Sequence, residues 1–160
     1  MLEFKIKNFE EHPNQDEMFK NWRFIVSKEG DDILLHAGVI PDEGKYGHRA
    51  VASQYNVDAR TILGGGDMVN FMEKFTINGS SGDFGLLPNS VMKTFGEMIL
   101  KEHGEKYSID KVVVDMFYDI ECRSKPNIKI WEGLFIIEVK NKITAKGTKR
   151  ILQTWKKISQ

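Results

Sequence analysis

Residues able to do chemistry gather around one stretch, Gly79-Ser80-Ser81-Gly82-Asp83-Phe84-Gly85. Glycine permits positive φ, so successive backbone N–H groups of such a bend can converge on one point and hold an anion. A helix starting just beyond it would add unpaired N–H groups of its own. Gly79, Ser80, Ser81, Gly82, Asp83, Phe84 and Gly85 are therefore the candidate phosphate-binding residues. Asp83 fits an anion site only if its carboxylate turns away, caps the helix or holds a metal. Two further residues could act on the same anion. His48 precedes a short helical pattern (Ala50, Val51, Ala52, Tyr55). At a helix start the dipole opposes protonation, and a neutral imidazole is what a general base or nucleophile needs near pH 7. Arg23 alternates with Trp22 and Phe24, which puts it on the opposite face of a strand. Its planar fork of donors suits phosphate. The plainer readings are a polar loop entering a helix, a capping or surface histidine, and a surface arginine.

Several other chemistries are excluded by spacing. The loop lacks the Gly-Lys-Ser/Thr ending of a nucleotide-binding P-loop and is not Gly-x-Gly-x-x-Gly. No Gly-x-Ser-x-Gly elbow or His-Glu-x-x-His pair occurs. Cys122 is the single cysteine, so no internal disulfide can form, which fits a reducing cytoplasm. His12, His36, His48 and His103 are scattered and give no zinc-ligand spacing. Neither a metal nor another cofactor is expected. The first residues are charged throughout, and no run approaches the roughly 20 apolar residues a membrane span needs. A cytoplasmic chain with no membrane partner is the expectation.

The 160 residues carry no net charge, so no global field argues for nucleic acid. The charge is nevertheless uneven. From Val139 onward there are seven Lys or Arg and no acid, leaving the preceding residues at −7. Basic residues 140–157 could grip RNA, phosphates or an acidic partner, or form the solvated face of a terminal helix.

The elements that must position these residues read as one α+β domain over 1–160: a mixed or largely antiparallel sheet of about six strands with two or three helices packed on it. Leu2, Phe4 and Ile6 alternate with charges, as do Trp22, Phe24 and Val26 with their neighbours, and both runs read as strands. Ile33–Ile40, Phe75–Ile77, Lys111–Tyr118 and Ile128–Val139 supply further strands, the last interrupted by Gly133. His12 reads as an exposed loop residue and His36 as a satisfied histidine within a strand. Gly64-Gly65-Gly66 signals a bend, a bulge or a close backbone approach. The clearest helix starts at Asn89 as N-cap after Pro88, carries Val91, Phe95, Met98 and Ile99 on one face, and stops at Gly104. His103 in its last turn reads as a partner of the helix dipole. Ile151, Leu152, Trp155 and Ile158 suggest a final amphipathic helix. Ser124–Asn127 reads as a turn and Cys122 as an ordinary thiol.

The order of these features resembles the phosphohistidine phosphatase (Janus/Ocnus) family over about residues 22–117. Arg23 falls where that family usually has lysine, His48 at its catalytic histidine, and Leu63-Gly64-Gly65-Gly66 at its triple-glycine segment. Asp67 follows where a basic residue is usual. Gly79–Gly85 falls at the phosphate loop, with Ser81 at the serine position. Residues 119–160 have no counterpart. The resemblance implies metal-independent hydrolysis of phosphohistidine or another phosphoryl group on a protein or small molecule. His48 would be base or nucleophile, and Arg23, Ser81 and the loop N–H groups would bind the phosphoryl oxygens. The alternative is a phosphate- or nucleic-acid-binding module, or a protein-interaction domain, without catalysis.

Overall fold

The computed structural model describes residues 1–14, 16–41, 46–72, 74–120, 128–139, 143–145, 148–150 and 153–158, with side chains up to residue 116 and from 133 to 138. Cys122 and the Ser124–Asn127 turn lie outside the described residues.

Alternating apolar and polar residues build β1 (Glu3–Phe9) and the first half of β2 (Phe19–Glu29), and a run buried on both faces builds β3 (Asp32–Val39). Gly30, at φ +60, turns β2 into β3. A chain segment then holds α1 (His48–Gln54) and a short 3-10 turn at Ala59–Thr61. The strands β4 (Ile62–Phe71) and β5 (Lys74–Asn78) follow as a hairpin. A small hairpin of β6 (Ser80–Ser81) and β7 (Gly85–Leu86) precedes α2 (Asn89–His103). The chain continues through β8 (Lys111–Ile120), β9 (Ile128–Val139), β10 (Ile143–Ala145), β11 (Thr148–Arg150) and β12 (Gln153–Ile158).

Eight of these strands form one mixed sheet in the order β1-β3-β2-β4-β5-β8-β9-β12, while β6–β7 and β10–β11 are separate pairs. The fold class is α+β, as the sequence suggests, with more strands than expected. β1 runs parallel to β3 and β5 parallel to β8; the other pairings in the sheet are antiparallel. A parallel pair needs a long crossover, and α2 supplies it between β5 and β8. α2 packs on β8, β1, β5 and β9, whereas α1 packs on β2 and β3.

The two faces of the sheet therefore have different roles. Trp22, Phe24, Val26, Met68, Phe75, Ile77 and Phe95 are fully buried in the core beneath α2. The opposite face holds a smaller cluster in which Ile25 meets Val51 and Ala52 of α1. Because side chains alternate along β2, Arg23 shares the α1 face with Ile25, opposite the aromatics.

Some expectations change. Gln153–Ile158 is a strand paired to β9, not part of a terminal helix. Apolar residues over so short a span fit either period, and pairing covers an edge that β9 would otherwise leave open. Pro88, not Asn89, is the N-cap of α2; no side chain caps it, and its carbonyl accepts from the Val91 and Met92 N–H groups. Gly104 is right-handed at φ −60, so it does not end the helix by a left-handed turn. It is glycine because a Cβ there would run into the Leu100 carbonyl oxygen and lie 3.1 Å from that of Ile109. His12 is buried, its ring edge-on to Trp22 at 5.8 Å. His103 stacks on Phe9 at 4.2 Å, and burial, the largest influence on it, holds its pKa below the usual histidine value. It sits in the last turn of α2, as the sequence suggests, and also packs on the sheet through Phe9. His36 is a satisfied buried histidine, with Asn8 at Nδ1 (2.8 Å) and Ser27 at Nε2 (3.1 Å).

Candidate active site

The triple glycine is the floor of the site, and it is strand rather than bend. Gly64, Gly65 and Gly66 lie inside β4, opposite Val26, Ile25 and Phe24 of β2. A Cβ on Gly65 would lie 2.7 Å from the Phe24 carbonyl oxygen and 2.8 Å from His48 Cδ2. One on Gly64 would lie 2.7 Å from Leu87 Cγ, and one on Gly66 would strike the Asn78 carbonyl. Each glycine thus answers a close approach, and the middle one makes room for the imidazole.

His48 is the first residue of α1, after Gly47. Its ring lies against β4 at Gly65 and Gly66. Its Nε2 lies 3.0 Å from the Gly66 carbonyl oxygen. A carbonyl can only accept, so Nε2 carries the hydrogen and the lone pair of the neutral ring is on Nδ1. Burial is the main reason the His48 pKa lies below the ordinary value. Arg23 pushes the same way, while the Gly66 bond, Asp67 and Asp83 oppose it.

Across β2, β4 and β5, Arg23, Asp67 and Asn78 form one row in register. Arg23 Nε donates to Asp67 Oδ1 at 2.7 Å, and its Nη1 donates to the Tyr46 carbonyl. Their side chains are 29% and 34% exposed. At that exposure the pair contributes about 1 kcal/mol or less to stability. Asp67, unexpected beside an anion site, is thus the residue that neutralises and orients Arg23.

The Gly79–Gly85 bend leaves the same end of the sheet, directly after Asn78. It is a tight hairpin closed on itself. The Asn78 side-chain oxygen accepts from the Ser80 N–H at 3.2 Å. Ser81 Oγ, buried, accepts from the Asp83 and Phe84 N–H groups at 3.2 and 3.1 Å. The loop N–H groups of Asp83 and Phe84 therefore converge, but on the serine hydroxyl. Gly85 has φ +84, a conformation that only glycine adopts cheaply. The bend does not run straight into α2, because β7, Leu87 and Pro88 come between. Asp83 turns toward α1, where its Oδ1 lies 3.6 Å from Arg49 Nε. The carboxylate thus lies beside the first turn of α1, near enough to His48 to oppose the lowering of its pKa.

The structure thus brings His48, Arg23, Asp67, Asp83 and the Gly79–Gly85 hairpin to one end of the sheet, on the α1 face. Sequence reasoning missed Arg49. It directly follows His48, but nothing in a sequence says that it would lie over Phe84, its guanidinium carbon 5.5 Å from the ring centroid. Among the described residues no group of three His, Cys, Asp or Glu could hold a metal, and no helix is long and apolar enough to cross a membrane. Comparison with models of protein families, with curated proteins and with solved structures finds no match to this chain.

Proposed function

We propose that this domain hydrolyses a phosphoryl group carried on nitrogen, with His48 as the general base. The observation that carries the reading is the buried His48, whose Nε2 lies 3.0 Å from the Gly66 carbonyl oxygen, so that in the neutral ring Nδ1 holds the lone pair; burial lowers its pKa. In the proposed step Nδ1 takes a proton from water as the water oxygen attacks phosphorus. The P–N bond breaks, its electron pair goes to the leaving nitrogen, and that nitrogen is protonated. In this reading the phosphoryl oxygens would be met at the Gly79–Gly85 hairpin, where the Asp83 and Phe84 N–H groups, which donate to Ser81 Oγ, would exchange that acceptor for the phosphoryl oxygens. This reading needs no cofactor, and its substrates are a phosphorylated protein or a small phosphorylated molecule.

The test is phosphate release from a phosphohistidine peptide and from a generic phosphomonoester, without added metal, beside His48→Ala. Release that is lost in the variant supports the reading. No release from wild type, or release unchanged by the substitution, removes it. Because the pKa of His48 is lowered, the acid limb of the rate profile should fall below pH 6.5, since the base stays unprotonated further into acid.

A second reading is an anion-binding module without hydrolysis. It is favoured by the two carboxylates near His48, Asp67 and Asp83, which reduce the positive charge available to a phosphoryl group. In that version the basic residues 140–157 could contact nucleic acid, and affinity would fall steeply with salt.

A further inference from the structure

Arg23 and Arg49 stand on the same side of the sheet in opposite circumstances. Arg23 is mostly buried, and two of its nitrogens are committed to Asp67 and the Tyr46 carbonyl. Arg49 is 70% exposed, touches Asp83 only at 3.6 Å, and among the described residues no hydrogen bond engages its Nη groups. The Phe84 ring beneath it limits where the guanidinium can swing. Arg49 and Phe84 also form one wall of a cavity of about 380 Å³. Ala52 and Ser53 on α1, with Asn56 and Val57 beyond it, form other parts of the lining. That volume lies within the ligand-site range of about 300–1,000 Å³. Among the described residues Arg49 is the single ionised side chain in the lining. Nearby Asp58 is held by Arg60 at 2.9 Å and does not line it.

We infer that Arg49, rather than Arg23, grips the anionic group of the ligand, and that the cavity beside it holds the neutral, partly apolar body carrying that group. The inference deepens the proposed function and rests on its anion site, but not on catalysis. The ligand's oxygens would take the Nη donors in the planar fork that a guanidinium offers. Its body would lie against Phe84, Ala52 and Val57, with Ser53 and Asn56 available to polar atoms. Asp83 would hold the guanidinium in place when the site is empty. Arg23 would act through Asp67 on the shape of the site.

The experiment titrates the full chain, wild type and His48→Ala, with phenyl phosphate and with inorganic phosphate, following backbone amide shifts. Phenyl phosphate should bind more tightly than phosphate and move the amides of Ser53, Asn56 and Phe84. Arg49→Gln should weaken it by about tenfold or more, as expected for one charge-assisted contact, while Arg23→Gln should weaken it less. Ser53→Tyr, which fills the cavity from an exposed position, should abolish the preference for phenyl phosphate and leave phosphate binding unchanged. Equal affinities in wild type and Arg49→Gln would overturn the inference, as would shifts confined to residues away from the cavity or no binding of phenyl phosphate. Binding of this pattern in a protein that releases no phosphate from a phosphohistidine peptide would sink the hydrolase reading and leave the cavity assignment standing.

Discussion

Gly66 and Gly82 are the same residue type under opposite constraints. A methyl on Gly66 has nowhere to go, because the Asn78 backbone carbonyl fills the space, whereas at Gly82 nothing lies within 4 Å. Gly66→Ala should therefore cost about 2–3 kcal/mol, the usual range for overpacking a rigid site. Gly82→Ala should stay within about 0.5 kcal/mol, as surface changes do. Urea unfolding of the two variants checks this, and equal losses would show that the β4–β5 contact is looser than described. The same comparison separates glycines kept for close packing from glycines that only make a turn, a distinction invisible in the motif.

At the level of elements, α2 is positioned by its own glycine. Gly96 faces β8 and β9: a Cβ there would lie 2.9 Å from Ile137 Cδ1 and 3.3 Å from methyls of Val112 and Val114. Helix propensity alone puts glycine about 1 kcal/mol below alanine, so its presence marks the approach of the helix to the sheet. Gly96→Val should destabilise the domain by about 2–3 kcal/mol, because a branched side chain meets stiff neighbours on both strands. A denaturant midpoint unchanged from wild type would contradict the packing. The smaller helix α1 has a different task. Val51 and Ala52 anchor it on Ile25, and that anchoring holds His48 against Gly65 and Gly66.

For the whole molecule, buried histidines tie stability to pH. His36, His48 and His103 all have pKa values lowered chiefly by burial. The unfolded chain, with ordinary histidines near 6.5, then binds more protons than the native state just below that pH. The stabilisation is complete above about pH 6.5 and is lost as the pH falls toward the lowered native values. The urea midpoint should drop between pH 7 and pH 5, and His36→Gln should make that drop shallower. A midpoint constant over this interval would contradict the burial of the imidazoles.

Local pattern alone was enough for much of the scaffold. Alternation located β1 and β2, apolar or strand-like runs located β3, β8 and β9, helical spacing located α2, and the placement of Arg23 opposite Trp22 followed from the two-residue period of a strand. The same pattern failed over residues 153–158, where too few apolar residues distinguished one period from another and pairing with β9 decided for a strand; Ile151 and Leu152 lie outside the described residues. His12 was misread because its burial depends on Trp22, a contact that no local window contains. At the candidate site, His48, the triple glycine and the Gly79–Gly85 bend were legible as residue types at suggestive spacings. Only the tertiary structure decided their partners: Asp67 on Arg23, Gly66 on His48, and Asp83 turned to Arg49. Those pairings join residues from separate strands and loops. They arise because the sheet brings β2, β4 and β5 into register, a long-range condition that composition and spacing do not encode.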